Sequence, residues 1–156
     1  MDFLLFLFLL VLSAVFSGTE TALFSLDHAE IARLESNKKS GGHQVGHLLR
    51  RPNQLLSALL IGNLLINTAA GVVATSMCLS YFGNHGVAVA VPVVTLVLLM
   101  LGEITPKMMA LRYRVPVALL AQGPLTVWLI ITRPFLLVTG LLTGTILRLL
   151  PFPKVG

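Results

Sequence analysis

An all-α integral membrane domain is predicted by three properties of the sequence: its apolar composition, the length of its apolar runs and the position of its charges. Of the 156 residues, 56% are hydrophobic and only 11% are charged, and the mean hydropathy is +0.91. Soluble domains carry about 25% charged residues. The pattern predicts three transmembrane helices plus a juxtamembrane helical element, with a cytoplasmic helical hairpin between the first two spans.

The net charge of +5 invites comparison with nucleic-acid-binding proteins. Here, however, the Lys and Arg residues flank apolar runs and do not form a basic face, which is the pattern of cytoplasmic anchoring in membrane proteins. Nucleic-acid binding is therefore not expected, and the lipid bilayer is the expected surrounding. The single cysteine, Cys78, has no partner within the chain for a disulfide.

The first span is predicted over residues 3–26. A secretory signal peptide is the alternative, because small residues follow the apolar run 3–16. Two features favour a span: Asp2 stands where a signal peptide has basic residues, and the apolar periodicity continues as far as Leu26. The second and third spans are predicted over residues 53–80 and 87–111, joined by a short turn.

Residues 27–52 are polar and have a helical rhythm that is interrupted at Gly41 and Gly42, which predicts a short helical hairpin. The hairpin and the segment after the third span contain most of the Lys and Arg residues, whereas the turn 81–86 has none. The positive-inside rule then places the hairpin and the C-terminus in the cytoplasm and the N-terminus outside the cell, with the domain in the inner or plasma membrane.

The C-terminal third of the chain contains two short apolar runs. Residues 117–132 and 135–147 are apolar, but each is shorter than the roughly 20 residues that a span requires, and Arg133-Pro134 separates them. Two short helices in an interfacial or re-entrant element fit this pattern better than a fourth span. Residues 1–150 would form the membrane domain, and residues 151–156 a linker.

Polar residues interrupt the three spans in three clusters. They are Ser17, Glu20, Thr21 and Ser25 in the first span, Asn63, Asn67 and Thr68 in the second, and Glu103, Thr105 and Lys107 in the third. Counted from the cytoplasmic flank of its span, each cluster begins about 15 Å deep, half of an apolar core roughly 30 Å thick. The clusters are therefore expected to meet at one level.

Pro106 adds a further ligand to this level. Because proline has no N–H, the carbonyl of Gly102, four residues earlier, loses its helical donor, and the carboxylate of Glu103 lies beside it. Hydroxyl, amide, backbone carbonyl and carboxylate oxygens form a set that suits a hard cation such as Mg²⁺. The alternatives are that the Ser, Thr and Asn residues only join helices by hydrogen bonds, and that Glu103 and Lys107 neutralise each other or Lys107 extends to the headgroups.

Three motifs resemble the transmembrane domain of the CorC/cyclin-M family: FSGTETALFS at 16–25, GNLLINTAA at 62–70 and GEITPK at 102–107. The resemblance implies three spanning helices, a juxtamembrane helical element, a homodimer, and cytosolic CBS-pair and CorC domains beyond this chain. It also implies Mg²⁺ export driven by sodium entry.

Carried onto this sequence, the ion site implied by the resemblance falls on Ser17, Asn63, the carbonyl of Gly102 and Glu103, with Asn67 close by. Glu20 is a coupling residue for Na⁺ or protons on this interpretation, and Lys107 has a structural or electrostatic role.

Two functions other than transport are the alternatives. A membrane anchor that senses a cation and reports to a cytosolic domain would use the same site without net transport. An intramembrane enzyme is not expected, because no Ser/His pair, paired Asp or HExxH arrangement lies within the spans.

Overall fold

A computed structural model describes residues 1–36 and 41–149, except for the side chains of Asn84, His85, Thr139 and 141–149. The described residues form six helices: α1 Asp2–Phe24, α2 His28–Ser36, α3 Gly42–Leu49, α4 Pro52–Gly83, α5 Gly86–Arg112 and α6 Arg114–Leu149. The three predicted spans are confirmed as α1, α4 and α5. The predicted linker 151–156 lies outside the described residues.

The hairpin of α2 and α3 follows from local capping. The carboxylate of Asp27 accepts a hydrogen bond from the N–H of Glu30 at 2.7 Å, and the carboxylate of Glu30 accepts one from the N–H of Asp27 at 3.0 Å. This reciprocal capping box satisfies free donors at the start of α2. Gly41, with φ of 69°, precedes α3 in a left-handed conformation that favours glycine. The predicted hairpin is thereby confirmed.

The turn between the second and third spans is sharper than the sequence suggests. One helical run extends from Pro52 to Val97 and is broken only where Gly83 adopts φ 64° and ψ −164°. A side chain would be strained at this φ. The turn predicted over 81–86 therefore reduces to a break at Gly83, and the flanking residues lengthen the two spans.

Helix α5 contains a π-helical segment, Leu98–Ile104, next to the GEITPK motif. The N–H of Thr105 donates to the carbonyl of Met100, five residues earlier. The next residue, Pro106, has no N–H and cannot extend this bonding pattern, so α-helix resumes over Thr105–Arg112. Such π segments occur often at functional sites.

The C-terminal segment differs from the prediction of two short helices. It is one helix, α6, which continues through Pro124 and Pro134. Apolar helices tolerate proline because neighbouring groups satisfy the freed carbonyls, so Arg133-Pro134 does not end the helix. Its Arg114–Val138 portion is long and apolar enough to cross a membrane, as are α1, α4 and α5. The chain is therefore a multi-pass membrane protein.

The buried core lies where the hairpin meets the ends of the long helices. It consists of Ala22, Leu23, Leu34, Val45, Leu48, Leu55, Leu59, Ala110, Ala118 and Leu125. Helix α6 is joined to α4 by a hydrogen bond of 2.8 Å from the indole N–H of Trp128 to the carbonyl of Ala58. Arg114 joins the start of α6 to the hairpin through Glu30 at 2.9 Å and to the carbonyl of Ser25 at 3.2 Å. These contacts hold the spans together at the hairpin end.

Two glycines of α4 predict opposite effects of the same substitution. A Cβ at Gly62 would overlap the ring of Phe16, which packs edge-on against Trp128 with ring centroids 5.2 Å apart. Gly62→Ala is expected to destabilise the fold by about 1–3 kcal/mol. Gly71 faces open space, so Gly71→Ala is expected to stabilise α4 by about 0.5–1 kcal/mol. Thermal unfolding of both variants in detergent checks this, and an equal change in the two would contradict it.

Candidate functional site

A chain of hydrogen bonds joins α1, α4 and α5 within the bundle. The hydroxyl of Ser13 donates to Asn67 Oδ1 at 2.6 Å, and Asn67 Nδ2 donates to Glu103 Oε1 at 2.7 Å. Ser13 is fully buried, and Asn67 and Glu103 are half-buried. Asn67 thus holds one carboxylate oxygen of Glu103 in place.

Ser17 lies one helical turn after Ser13 and is also fully buried. Its hydroxyl is 3.4 Å from the backbone carbonyl of Glu103, to which it donates a long hydrogen bond. The sequence predicts the neighbouring carbonyl, that of Gly102, as a ligand. Gly102 is buried against Ser13, and a Cβ there would come within 2.9 Å of the Ser13 hydroxyl. Glycine at this position therefore lets α1 and α5 approach at the site.

Asn63 carries an oxygen with no partner. Its side-chain Oδ1 is buried and accepts no hydrogen bond from any described residue. Asn63 precedes Asn67 by one turn on the same face of α4, which is the face that bonds to Ser13 and Glu103. A buried acceptor without a donor costs about 1–3 kcal/mol unless another group, such as a cation, satisfies it.

Glu20 and Lys107 form an ion pair beside the cluster. Lys107 Nζ lies 4.0 Å from Glu20 Oε2, and their side chains are 41% and 19% exposed. Lys107 therefore pairs across helices with Glu20 and not with Glu103 on its own helix. Thr21, the next residue of α1, is half-buried, and among the described residues its side chain makes no hydrogen bond to the cluster of Ser13, Ser17, Asn67 and Glu103.

Pro106 has a second role besides ending the π segment. It packs against Gly18, where a Cβ would lie 3.6 Å from the carbonyl and 3.7 Å from the Cβ of Pro106. Gly18 is buried, so α1 and α5 are in close contact one turn from the hydrogen-bonded cluster. This contact positions Glu103 and Lys107 relative to α1.

The structure thus brings Ser17, Asn67 and Glu103 into direct contact, and it adds Ser13, which the sequence interpretation missed. Ser13 precedes Ser17 by four residues, so the spacing already placed both on one face of α1. The spacing alone gives Ser13 no partner, because the Asn67 side chain that it binds lies on another helix.

The oxygen atoms available as ligands define which ions the site can bind. They are serine hydroxyls, amide oxygens, backbone carbonyls and one carboxylate, all hard oxygen ligands. Mg²⁺, Ca²⁺ and Na⁺ accept such ligands, whereas Zn²⁺ and copper ions prefer nitrogen and sulfur. The charges of Glu20 and Lys107 cancel, so Glu103 supplies the net negative charge.

Similarity to known proteins agrees with this architecture. The chain is 34% identical to a UPF0053 protein of Haemophilus influenzae over 94% of its own length and 35% of that protein. It is 32% identical to the UPF0053 inner membrane protein YfjD of Escherichia coli, over 89% of this chain and 32% of that protein. A chloroplastic DUF21 domain-containing protein of Arabidopsis thaliana is 34% identical over 91% of this chain and 22% of its own length.

The chain spans about a third of the length of the two bacterial relatives. Residues 4–155 match the family described as the Cyclin M transmembrane N-terminal domain. That match covers almost the whole chain and agrees with the four long apolar helices. The chain therefore belongs to the cyclin M transmembrane N-terminal domain family.

Proposed function

We propose that this domain transports Mg²⁺ out of the cell, in exchange for Na⁺, through an alternating-access site between α1, α4 and α5. The observation that carries the proposal is the buried Oδ1 of Asn63, which has no hydrogen-bond partner among the described residues. It lies one helical turn from Asn67, whose amide binds the Glu103 carboxylate. Helix-joining polar groups in membranes generally satisfy one another, so a hydrogen-bonding role alone does not explain this acceptor. The other buried acceptor without a partner in the described part of the chain, Gln122 Oε1, lies on α6, outside the three helices of the site. A cation supplies the missing partner of Asn63.

The ligands of the proposed site are Ser17, Asn63, Asn67, the carbonyl of Gly102 and Glu103. The amide of Asn67 fixes one oxygen of Glu103, and Ser13 in turn orients that amide. Mg²⁺ gives up its water reluctantly, so several protein oxygens in near-octahedral order are required to replace it. Ligands from three helices allow the ion to be released when the helices move apart.

Sodium is the coupling ion in this proposal. Na⁺ would use the same hard oxygens, so the two ions would occupy the site alternately. One carboxylate leaves a bound Mg²⁺ with a net positive charge in a medium that disfavours charge, which promotes its release. Because Na⁺ and Mg²⁺ cannot occupy the site at the same time, binding of one ion requires release of the other, and the two ions are exchanged.

The proposal also includes the orientation of the domain in the membrane, its oligomeric state and its regulation. The hairpin faces the cytoplasm and the N-terminus is outside, since the basic residues flank the hairpin end of the helices. The domain acts as a homodimer. Helix α6 stays at the cytoplasmic side as a juxtamembrane element and does not cross the bilayer, so the C-terminus is cytoplasmic. Cytosolic CBS-pair and CorC domains in the longer protein regulate the activity. It performs no chemical reaction.

A cation sensor without net transport is the second candidate, and the contacts of Arg114 favour it. Arg114 follows α5 directly and binds Glu30 of the hairpin at 2.9 Å. A movement of α5 caused by a cation at Glu103 would therefore reach the hairpin, and through it any cytosolic domain. Such coupling requires no passage of the ion.

Flux in liposomes distinguishes the two functions. The purified chain is reconstituted with a Mg²⁺ indicator inside, and a Na⁺ gradient is imposed in either direction, with protein-free liposomes as the control. Exchange predicts Mg²⁺ movement opposite to the Na⁺ gradient, reversing when the gradient is reversed. Binding of Mg²⁺ without flux in either direction would contradict transport by this chain and support the sensor.

A further inference from the structure

The ion pair of Glu20 and Lys107 occupies a particular place relative to the proposed site. Glu20 follows Ser17 by three residues on α1, and Lys107 follows Glu103 by four on α5. Both helices run towards the hairpin, because Arg114, directly after α5, binds the carbonyl of Ser25, directly after α1. The pair therefore lies between the hydrogen-bonded cluster and the hairpin end of the bundle.

The geometry of the Glu20–Lys107 ion pair is that of a weak contact, which the two side chains can break readily. The distance from Lys107 Nζ to Glu20 Oε2 is 4.0 Å, at the outer limit for an ion pair. Lys107 is the more exposed partner, at 41%, and its four-carbon stem can carry the ammonium towards the headgroup region. Neither group makes another ion pair within the described residues.

We propose that Lys107 is a tethered cation that competes with the transported ion for Glu20, so that the pair sets the preference of the site between Na⁺ and Mg²⁺. This inference rests on the proposed function. While Lys107 binds Glu20, Glu103 supplies the uncompensated negative charge of the site, and a single negative charge matches Na⁺. When Lys107 withdraws, two carboxylates face the ion, and their combined charge matches Mg²⁺.

Electrostatics makes the proposal quantitative. Glu20 follows the proposed ligand Ser17 by three residues on α1. Side chains at this spacing are about 6 Å apart, so the carboxylate that is freed when Lys107 withdraws attracts an ion held at the site. At this distance even water-like screening changes the affinity for a divalent ion about tenfold. Coulomb energy is proportional to the charge of the ion, so the logarithm of the change for Na⁺ is half that for Mg²⁺, or about threefold.

The test measures equilibrium binding to the purified chain in detergent. Mg²⁺ affinity is measured by calorimetry, and Na⁺ affinity by its competition with Mg²⁺, for the wild-type chain and Lys107→Gln. The expected result is tighter Mg²⁺ binding by about tenfold and tighter Na⁺ binding by about threefold. Lys107→Met serves as a second variant if Lys107→Gln does not fold.

Arg112→Gln is the matched control, because it removes a positive charge from the same helix five residues further on, where the guanidinium stacks over Tyr113 at 5.8 Å. It is expected to change both affinities less than about twofold, since the charge is distant and screened. Equal changes for Lys107→Gln and Arg112→Gln would overturn the proposal.

A double-mutant cycle tests whether Lys107 acts through Glu20. Glu20→Gln alone is expected to weaken Mg²⁺ binding, and the gain from Lys107→Gln is expected to be smaller in the Glu20→Gln background, since no carboxylate is then released. The same gain in both backgrounds would overturn the proposal, because Lys107 would then act by repulsion alone.

If Glu103→Gln abolishes binding while Lys107→Gln has no effect, the ion pair fails as a selectivity device and the transport site stands. If Glu103→Gln leaves binding unchanged, the proposed function itself fails.

Discussion

Glu103→Gln is expected to reduce Mg²⁺ flux in liposomes at least about hundredfold, because it removes the net negative charge of the site while preserving its shape. Glu103 is the carboxylate within the hydrogen-bonded cluster, and Asn67 fixes its Oε1 at 2.7 Å. The charge and number of oxygen ligands set the affinity of a site for a divalent cation. A glutamine retains the volume and one oxygen, so the fold is expected to survive.

The matched control for this prediction is Glu35→Gln. It removes a carboxylate that pairs with Arg50 at 3.3 Å on the hairpin, away from the cluster. Surface ion pairs contribute about 0–1 kcal/mol, so stability and flux are both expected to be near the wild-type values. Flux of Glu103→Gln within about twofold of the Glu35→Gln value would contradict a site centred on Glu103.

Asn67→Asp is expected to make the stability of the protein depend strongly on divalent cations. The substitution replaces the donor group Nδ2 by a carboxylate oxygen, so the 2.7 Å contact with Glu103 changes from attraction to repulsion. Two like charges at about 4 Å repel by about 4 kcal/mol at an effective dielectric constant of 20. A cation between the two carboxylates reverses this penalty, since binding to the folded state raises its stability.

Thermal unfolding with and without Mg²⁺ measures this effect. Asn67→Asp is expected to unfold below the wild-type temperature in chelator and to gain more than the wild-type chain when Mg²⁺ is added. Asn67→Leu, which removes the donor without adding a charge, is the control and is expected to lose stability without that gain. A Mg²⁺ response of Asn67→Asp no larger than that of Asn67→Leu would show that no cation enters between positions 67 and 103.

Apolar runs and their polar interruptions were sufficient to predict α1, α4, α5 and the hairpin. They did not predict α6 as one helix, whose Arg114–Val138 portion is also long and apolar enough to cross a membrane. Long apolar runs leave a helix as the main way to satisfy backbone groups in lipid, so α1, α4 and α5 follow from local sequence. Counting residues from the charged flanks also predicted that the clusters beginning at Ser17, Asn63 and Glu103 would meet, and in the structure Ser17 and Asn67 both contact Glu103. That count works because the rise per residue of a helix is constant.

Other features depended on contacts between distant residues. The single helix α6 passes through Arg133-Pro134, which local rules interpret as a boundary, and it is joined to α4 through Trp128 and the carbonyl of Ala58. A local rule cannot identify such a partner, since the two residues are 70 positions apart. The same holds for Ser13, whose hydroxyl gains its role only from Asn67 on another helix.

The sequence by itself determined the membrane class, the first three spans with the polar groups they carry, and the hairpin between two of them, because hydropathy and capping act along one helix. Only the tertiary structure decided which of those groups touch. Lys107 could pair with Glu103 on its own helix or with Glu20 across the interface, and the packing of Gly18 against Pro106 brings it to Glu20. Partner choice depends on the rotation and separation of neighbouring helices, and the small residues at their contact set both.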